Sequence, residues 1–206
     1  MVGKFISIEG VEGAGKSTQV SFIQDYLTSL GKIVVVTREP GGTELSEKIR
    51  NLLLDPSSNS MANDTELLLM FASRAEHVSQ VINPALHRGD WVLCDRFLDA
   101  TYAYQGGGRG IERQRIQQIA DWTLRGLIPD LTLLFDLPVE LGLERVLERK
   151  EDMDRFEQEK IDFFQKIRKS YLKSAKADPN RIKILDASLS IIKIQEQLTQ
   201  LIKPLI

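Results

Sequence analysis

The segment from Gly10 to Ser17 combines the residue types that bind a phosphate chain. It reads Gly-Val-Glu-Gly-Ala-Gly-Lys-Ser and fits the pattern G-x-x-x-x-G-K-[ST] in full. The glycines allow backbone N–H groups to turn toward an anion, Lys16 can reach the outer phosphates, and the Ser17 hydroxyl can ligate Mg²⁺. The pattern therefore predicts a site for a nucleoside triphosphate with Mg²⁺. The predicted ATP-binding residues are Gly10, Val11, Glu12, Gly13, Ala14, Gly15, Lys16, Ser17 and Thr18.

A second ligand for the metal is expected from an acid that ends an apolar strand. Asp95 and Asp136 each follow an apolar run directly, so both fit by pattern. Arg96 comes immediately after Asp95, and an acid beside an arginine at the carboxyl end of a strand can serve a metal and a phosphate together. A structural ion pair is the alternative for these two charges. We predict Ser17 and Asp95 as the metal ligands.

Short apolar runs alternate with longer segments of helical periodicity along the chain. The runs lack strict polar alternation, which is typical of strands that are buried on both faces of a parallel sheet. Their alternation with helices predicts an open α/β sheet with helices on both faces. With 206 residues, the chain is expected to form a single domain, 1–206. The apolar runs are Phe5–Ile8, Ile33–Val36, Trp91–Cys94, Leu131–Phe135 and Arg181–Leu185.

Composition limits the classes of partner. The net charge of −2 gives no general electrostatic attraction to nucleic acid or to an anionic membrane, so neither partner is expected. No segment approaches the roughly 20 apolar residues of a membrane-spanning helix. Cys94 is the single cysteine, so no disulfide can form within the chain. A reducing, cytoplasmic location is the simplest interpretation.

Charged residues crowd together between Glu144 and Lys160, with few apolar anchors among them. A solvated helix face is the simplest interpretation of such a segment. In a chain with a P-loop, the same composition also suits a lid that closes over phosphates. We place this predicted lid at about residues 144–158.

Three further motifs narrow the class of P-loop protein. A GTPase should carry an Asn-Lys-x-Asp motif after a late strand, and this chain has none. A large motor or transporter ATPase would need a longer chain, which leaves a small kinase. The motifs are Thr-Arg-Glu-Pro-Gly-Gly-Thr at 37–43, Asp-Arg-Phe at 95–97 and Ala-Tyr-Gln-Gly-Gly-Gly-Arg-Gly at 103–110. Together with the P-loop, in this order and spacing, they resemble the thymidylate kinase family over essentially the whole chain.

This resemblance implies a reaction, a fold and an assembly. The reaction would be ATP + dTMP → ADP + dTDP with a Mg²⁺ requirement. The fold would be a P-loop NTPase-type three-layer α/β fold with a five-stranded parallel sheet, helices on both faces and a small lid. The assembly would be a homodimer. The dTMP-binding residues that the resemblance implies are Glu9, Arg38, Pro40, Arg50, Phe71, Arg74, Arg96, Thr101, Tyr104 and Gln105.

The implied roles divide between phosphate and nucleoside. Arg38, Arg50 and Arg96 would offset the repulsion between two phosphate-bearing substrates, because guanidinium groups bind phosphate oxygens bidentately. Gln105 has a carbonyl and an NH₂, so it can pair with thymine N3–H and a neighbouring carbonyl. Tyr104 resembles the residue that crowds the sugar 2′ position, while Thr101 would contact the base edge and sugar.

The thymine pocket is implied to contain Arg74, bonded to O4 of the base, with an aromatic ring stacked on that base. In a common family pattern the aromatic lies four residues before the arginine, where this chain has Met70. Phe71 lies three residues before it. We predict that Phe71 stacks on the base; the alternative is that both side chains belong to the core.

The catalytic residues are predicted to act by neutralising charge. A dianionic phosphate acceptor needs no strong general base. Lys16, Arg96 and a lid arginine would stabilise the transferring group, and Glu9 resembles the acid that lies near the metal and the acceptor. The variable positions of the P-loop carry Glu12 and no arginine. This resembles the branch of the family in which the lid, and not the P-loop, supplies the catalytic arginine. The lid candidates are Arg145, Arg149, Lys150 and Arg155, with Arg149 as first choice.

Two alternative functions remain open at this point. One is a small P-loop kinase that acts on another nucleotide or deoxynucleoside. The other is a regulator that binds ATP without catalysis, for which a base pocket and a lid would have no use.

Overall fold

A parallel sheet with the strand order β2-β3-β1-β4-β5 forms the centre of the fold. The computed structural model describes residues 3–148 and 153–206, and its sheet has five strands within those ranges. This confirms the predicted α/β fold with a five-stranded parallel sheet. The strands are β1 Phe5–Gly10, β2 Val34–Arg38, β3 Trp91–Asp95, β4 Leu131–Asp136 and β5 Ile182–Asp186.

Helices cover both faces of this sheet. Side chains alternate across each strand, so Ile6 and Leu93 face one apolar core, while Phe5 and Val92 face the other. No helix within the described residues is both long and apolar enough to cross a membrane. The helices are α1 Lys16–Ser29, α2 Glu44–Leu54, α3 Asn63–His77, α4 Asn83–Arg88, α5 Leu98–Thr101, α6 Arg113–Leu124, α7 Val139–Glu148, α8 Ile161–Ala177 and α9 Ile191–Ile202, with π-helical turns at Val78–Ile82 and Tyr102–Gly108 and 3₁₀ turns at Pro56–Ser58 and Lys203–Leu205.

The strand register brings the predicted chemistry to one edge of the sheet. Ile8 of β1 and Arg38 of β2 both pair with Asp95 of β3. The residues that end or follow these strands, among them Glu9 and Arg96, therefore gather at the carboxyl edge. Ligands of open α/β sheets bind at this edge.

Two glycines allow the P-loop to lie directly against the start of α7. A Cβ atom on Gly13 would lie 2.2 Å from the carbonyl oxygen of Gly142, and one on Gly142 would lie 2.5 Å from that of Glu12. Gly13 also has a positive φ of 71°, which favours glycine. The backbone contact between loop and helix therefore requires that both side chains be absent.

This contact can be tested with Gly142→Ala. In a helix interior, alanine normally stabilises by about 1 kcal/mol relative to glycine. Here we expect the opposite, a loss of about 1–3 kcal/mol in the free energy of unfolding, because the new methyl group must push the P-loop away. Denaturant unfolding measures this difference. Glu144→Ala, on the exposed face of the same helix, is the control and should stay within about 0.5 kcal/mol of the parent. An unchanged or raised stability for Gly142→Ala would contradict the packing argument.

Candidate active site

The P-loop occupies the predicted turn between β1 and α1. Gly15, with a φ of 78°, directly precedes the first residue of α1. The buried Lys16 donates hydrogen bonds from Nζ to the carbonyl oxygens of Gly10 and Val11, at 3.1 and 3.0 Å. Burial and the neighbouring Arg96 guanidinium lower the pKa of Lys16 to about 8. An anion bound in the loop would oppose this effect, because it stabilises the protonated amine.

Ser17 and Asp95 line one cavity beside the P-loop. The Asp95 Oδ1 atom is buried and has no hydrogen-bond partner, while Ser17 is exposed. An unsatisfied carboxylate oxygen next to a hydroxyl fits a hard cation such as Mg²⁺, which prefers oxygen ligands. No cluster of three or more His, Cys, Asp or Glu side chains suited to a metal occurs in residues 3–148 and 153–206. Phosphate oxygens and water molecules would complete the coordination.

The two acids that the sequence left as alternatives have different partners in the structure. Asp136 accepts hydrogen bonds from Nε and Nη2 of Arg168, at 2.7 and 2.9 Å. This fork-to-carboxylate pair uses both oxygens of Asp136. Asp95, by contrast, has an oxygen without a hydrogen-bond partner and lines the same cavity as Ser17, which suits a metal ligand.

A second cavity opens beside the P-loop. Its wall combines guanidinium groups with buried polar and apolar side chains, so it can hold a ligand that is anionic at one end and partly apolar at the other. The lining residues are Glu12, Glu39, Pro40, Arg50, Leu54, Met70, Arg74, Arg96, Phe97, Ala100, Thr101, Tyr104, Gln105, Asp154 and Phe156.

Arg74 is fixed in the wall of this cavity with one nitrogen free. Its Nε donates to Oε2 of Glu39 at 2.6 Å, and its Nη2 donates to the carbonyl oxygen of Phe97 at 3.1 Å. Glu39 is itself held by His77, whose Nδ1 lies 3.0 Å from Oε1. Arg74 Nη1 is buried without a partner. A carbonyl oxygen on a bound ligand would satisfy it.

Met70, rather than Phe71, lies on the cavity wall. The Phe71 ring is buried in the core cluster that also contains Phe5 and Leu67. The ring packs against Arg74, whose guanidinium carbon lies 5.0 Å from the ring centre. The geometry therefore does not support the prediction that Phe71 stacks on a base. The α3 surface that faces the cavity carries Met70 instead.

Gln105 and Thr101 are both buried and both line the cavity, as the resemblance implied. The Gln105 amide nitrogen donates to Oε1 of Glu66 at 2.8 Å. Pro40 also lies in the wall, and its carbonyl oxygen accepts a 2.9 Å hydrogen bond from Arg50. The structure thus gathers these predicted contact residues around one space.

The three predicted phosphate arginines are divided between two cavities. Arg50 and Arg96 line the cavity that contains Arg74 and Gln105, and Arg38 lines the one that contains Asp95. Arg38 is half exposed and donates to Oε2 of Glu47 at 2.8 Å. Burial and the nearby Arg38 lower the pKa of Arg50, which reflects the cost of placing cations close together.

Arg96 adopts a left-handed backbone conformation with a φ of 70°, which is uncommon for residues other than glycine. Its N–H donates to the carbonyl oxygen of Ile8 at 2.8 Å, which anchors the turn after β3. Its Nη2 donates to Oε1 of Glu12 at 2.8 Å, and its guanidinium lies 4.8 Å from the Tyr104 ring centre. The turn therefore aims the side chain at the P-loop.

Glu12 belongs to both parts of the site, which the sequence did not indicate. The sequence predicts it only as a P-loop residue, yet it also lines the cavity that contains Arg74 and Gln105. The Tyr104 hydroxyl donates to both of its oxygens, at 2.7 and 2.8 Å. Although burial opposes ionisation, Arg96 and Lys16 lower the pKa of Glu12. An ionised acid of the P-loop therefore forms part of the cavity wall.

Glu9 is fully buried behind the P-loop. Its Oε1 accepts a 2.8 Å hydrogen bond from the Phe97 N–H, and the Tyr171 hydroxyl lies 2.8 Å from Oε2. Burial, with a further contribution from Asp99, raises the pKa of Glu9 to about 8. The side chain is therefore largely protonated at neutral pH in the ligand-free protein.

The lid candidates occupy different environments. Arg155 is buried, donates to the Leu53 carbonyl oxygen and to Glu66, both at 2.7 Å, and so holds the segment in place. Arg145 is exposed on α7 and donates to the carbonyl oxygen of Gly13 at 3.1 Å. Arg149 and Lys150 lie outside the described residues.

The chain is similar to known proteins along nearly its whole length. A sequence model of the family described as "Thymidylate kinase" matches residues 8–198. The thymidylate kinase of Vesicomyosocius okutanii subsp. Calyptogena okutanii (strain HA) is 54% identical over 203 residues, 98% of each chain. That of Pseudomonas savastanoi pv. phaseolicola (strain 1448A / Race 6) is 54% identical over 206 residues, 100% of this chain and 98% of the relative. The crystal structure of thymidylate kinase from Ehrlichia chaffeensis is similar with a TM-score of 0.79 and 31% identity, covering 98% of this chain and 99% of the other.

The raised pKa of Glu9 leads to a prediction about stability and pH. Because its folded-state pKa of about 8 exceeds the ordinary 4.5, protonation of Glu9 contributes stability that is complete below about pH 4.5 and is lost as pH rises through about 8. Glu9→Gln mimics the neutral acid and removes this dependence. From pH 5.5 to 7.5 we therefore expect the wild type to lose stability relative to the variant, by at most about 1.4 kcal/mol per pH unit.

Urea unfolding of the ligand-free protein at several pH values in this window measures the effect. Lys16, whose pKa is about 8, stays mostly protonated across this window. Glu144→Gln, on the exposed face of α7, is the control and should follow the wild type. Parallel stability curves for the wild type and Glu9→Gln would show that Glu9 is already ionised.

Proposed function

The chain belongs to the thymidylate kinase family, and from that membership we propose how its site binds ATP and dTMP. It is an ATP-dependent nucleoside monophosphate kinase. The reaction transfers the γ-phosphoryl group of ATP to dTMP and yields ADP and dTDP. We propose that the P-loop holds ATP and that the cavity lined by Arg74 and Gln105 holds dTMP.

One observation carries this assignment of the two sites. Arg74 Nη1 is buried without a partner in the wall of a cavity that also contains Gln105. The same wall contains Arg50 and Arg96 and reaches the P-loop at Glu12. A pyrimidine carbonyl at Arg74 and a phosphate at the other two arginines would therefore place a mononucleotide next to the phosphate donor.

The cations of the site offset charge repulsion between the substrates. The acceptor phosphate has a second pKa of about 6, so it is mostly dianionic at neutral pH and needs no general base. Arg50 and Arg96 would bind its oxygens as forked donors. Arg38 lines the cavity that contains Asp95, and its positive charge would also attract the phosphates. Positioning and charge stabilisation then account for catalysis.

Lys16 and Arg96 have internal partners that phosphates can replace. Lys16 binds two P-loop carbonyl oxygens, and Arg96 binds Glu12. Phosphate oxygens carry more charge than a carbonyl and would draw the Lys16 ammonium toward the transferring group. Mg²⁺, when held by Ser17 and Asp95, would neutralise charge on the donor phosphates.

The assembly and location are further parts of the proposal. Leu45, Leu68 and Trp122 are exposed apolar side chains, and Trp122 is 79% exposed. They lie on α2, α3 and α6, and α3 contacts both of the other helices. We propose that this apolar face is the contact of a homodimer. A cytoplasmic location suits an enzyme that uses ATP and has no disulfide.

The acceptor specificity tests the proposed function directly. Coupled measurement of ADP release with Mg²⁺-ATP compares dTMP, dUMP, UMP, AMP and thymidine as acceptors. We expect dTMP to be the best acceptor, because Arg74, Gln105 and the phosphate arginines match its two ends. A different best acceptor would make the chain a kinase for another nucleotide. If ATP binds and no acceptor stimulates ADP release, the chain is a regulator.

The lid assignment gives a second test. We predict that Arg149→Ala lowers kcat by about 10³-fold, as loss of an arginine at a transferring phosphate does in GTPases, while KM for dTMP changes only a few-fold. Steady-state kinetics measure both constants. Arg145→Ala is the control, because Arg145 binds a P-loop carbonyl oxygen from an exposed position. An unchanged kcat for Arg149→Ala would refute the assignment, and a large loss in Arg145→Ala would move it to α7.

A further inference from the structure

A buried carboxylate lies directly behind the wall of the base pocket. Glu66, on α3, is 1% exposed. Its Oε1 accepts the hydrogen bond from Gln105 Nε2, and its Oε2 accepts one from Arg155 Nη2 at 2.7 Å. Arg109 Nε lies 3.3 and 3.2 Å from the two oxygens and donates to both. Glu66 thus connects the cavity wall to two arginines that have no place in the cavity lining.

This arrangement fixes the orientation of the Gln105 amide. A primary amide has a donor end and an acceptor end, and by shape alone it can face either way. A carboxylate that is flanked by two guanidinium groups only accepts hydrogen bonds, so Glu66 can face only the NH₂ end of Gln105. The carbonyl oxygen of Gln105 is therefore the end left for the cavity, whose wall Gln105 forms.

We propose that Glu66 is a positioning residue that turns the Gln105 carbonyl toward the base and thereby makes the pocket select a pyrimidine with an N3–H donor. This inference rests on the proposed function, since it assumes that dTMP occupies the cavity. Thymine would then present N3–H to the Gln105 acceptor and its O4 acceptor to the free donor of Arg74. Hydrogen-bond direction matches at both positions.

A cytosine base in the same pose would fail at both positions. Its N3 is an acceptor and would face the Gln105 carbonyl oxygen. Its 4-amino group is a donor and would face Arg74 Nη1. Each buried group left unpaired in this way costs about tenfold or more in affinity. Glu66 therefore contributes to base selection without touching the base.

Glu66→Gln should reverse the amide of Gln105. Arg155 and Arg109 would hold the new side chain with its carbonyl oxygen toward them, because guanidinium groups only donate. Its NH₂ group would then face Gln105, which must turn its own carbonyl oxygen away from the cavity. Gln105 would present NH₂ to the base, which suits the N3 acceptor of cytosine.

The test measures kcat/KM for dTMP and for 5-methyl-dCMP, which differs from dTMP only at N3 and the 4-substituent. We expect the preference for dTMP to fall at least about tenfold in Glu66→Gln, with a lower value for dTMP and a higher one for 5-methyl-dCMP. Glu159→Gln is the matched control. Glu159 pairs with Arg109 as Glu66 does, but it has no contact with Gln105. The preference of this control should stay within about twofold of the wild type, because only the Arg109 pairing changes.

Two further variants separate positioning from a purely structural role. Glu66→Gln/Gln105→Glu places a carboxylate, which accepts on every side, at the base, and should restore the preference for dTMP. Glu66→Asp retains the charge beside both arginines and is the variant to use if Glu66→Gln does not fold. Its shorter side chain withdraws from Gln105, so its preference should also fall. Thermal melts verify that each variant is folded.

The possible outcomes distinguish this inference from the proposed function. If the wild type phosphorylates dTMP while Glu66→Gln and Glu66→Asp keep the preference of Glu159→Gln, the positioning role of Glu66 is overturned and the proposed function stands. If the wild type does not phosphorylate dTMP, the proposed function fails and this inference fails with it.

Discussion

Buried carboxylates hold the working side chains of this site in place. Glu39 fixes Arg74 and Glu66 fixes Gln105, in each case through a hydrogen bond of 2.8 Å or less. Glu12 holds Arg96 in the same way. Removing such charges from water costs free energy, and hydrogen bonds offset this cost only where the partners have good geometry. The acids therefore bind one partner arrangement and exclude others, which gives the cavity a fixed pattern of donors and acceptors.

The side chains that line the cavity and the groups that hold them in place come from distant parts of the chain. Gln105 is 39 residues from Glu66, and Arg155 is 89 residues from it. The π-helical turn Tyr102–Gly108 packs closely on α8, and a Cβ on Gly107 or Gly108 would meet side chains of that helix within 2.6 Å. The turn carrying Gln105 is thus fixed on both sides, by α8 and by Glu66. Preorganisation of this kind reduces the cost of ordering the site when a ligand binds.

The fold and the phosphate loop could be predicted because their signals are local. Five apolar runs predicted the five strands, and the order of residues within Gly10–Ser17 predicted the strand–loop–helix unit. The role of Glu66 in holding Gln105 could not be predicted. In the sequence, Glu66 resembles any solvent-facing acid in the first turn of a helix. The rotation of α3 places Met70, and not Phe71, on the cavity wall, and sequence spacing does not fix that rotation.

The charged segment between Glu144 and Lys160 also has features that its sequence does not predict. Composition alone treats Arg145 and Arg155 as equivalent members of a solvated run. In the structure, Arg155 is buried against Glu66 and the Leu53 carbonyl oxygen, whereas Arg145 reaches the P-loop from an exposed helix face. Arg155 lies within the proposed lid segment and thus ties it to the same carboxylate that binds Gln105. A displacement of Arg155 would therefore alter the hydrogen bonding of Glu66, and through Glu66 that of the Gln105 amide. If dTMP occupies the cavity as proposed, lid position and base recognition would share one buried acid.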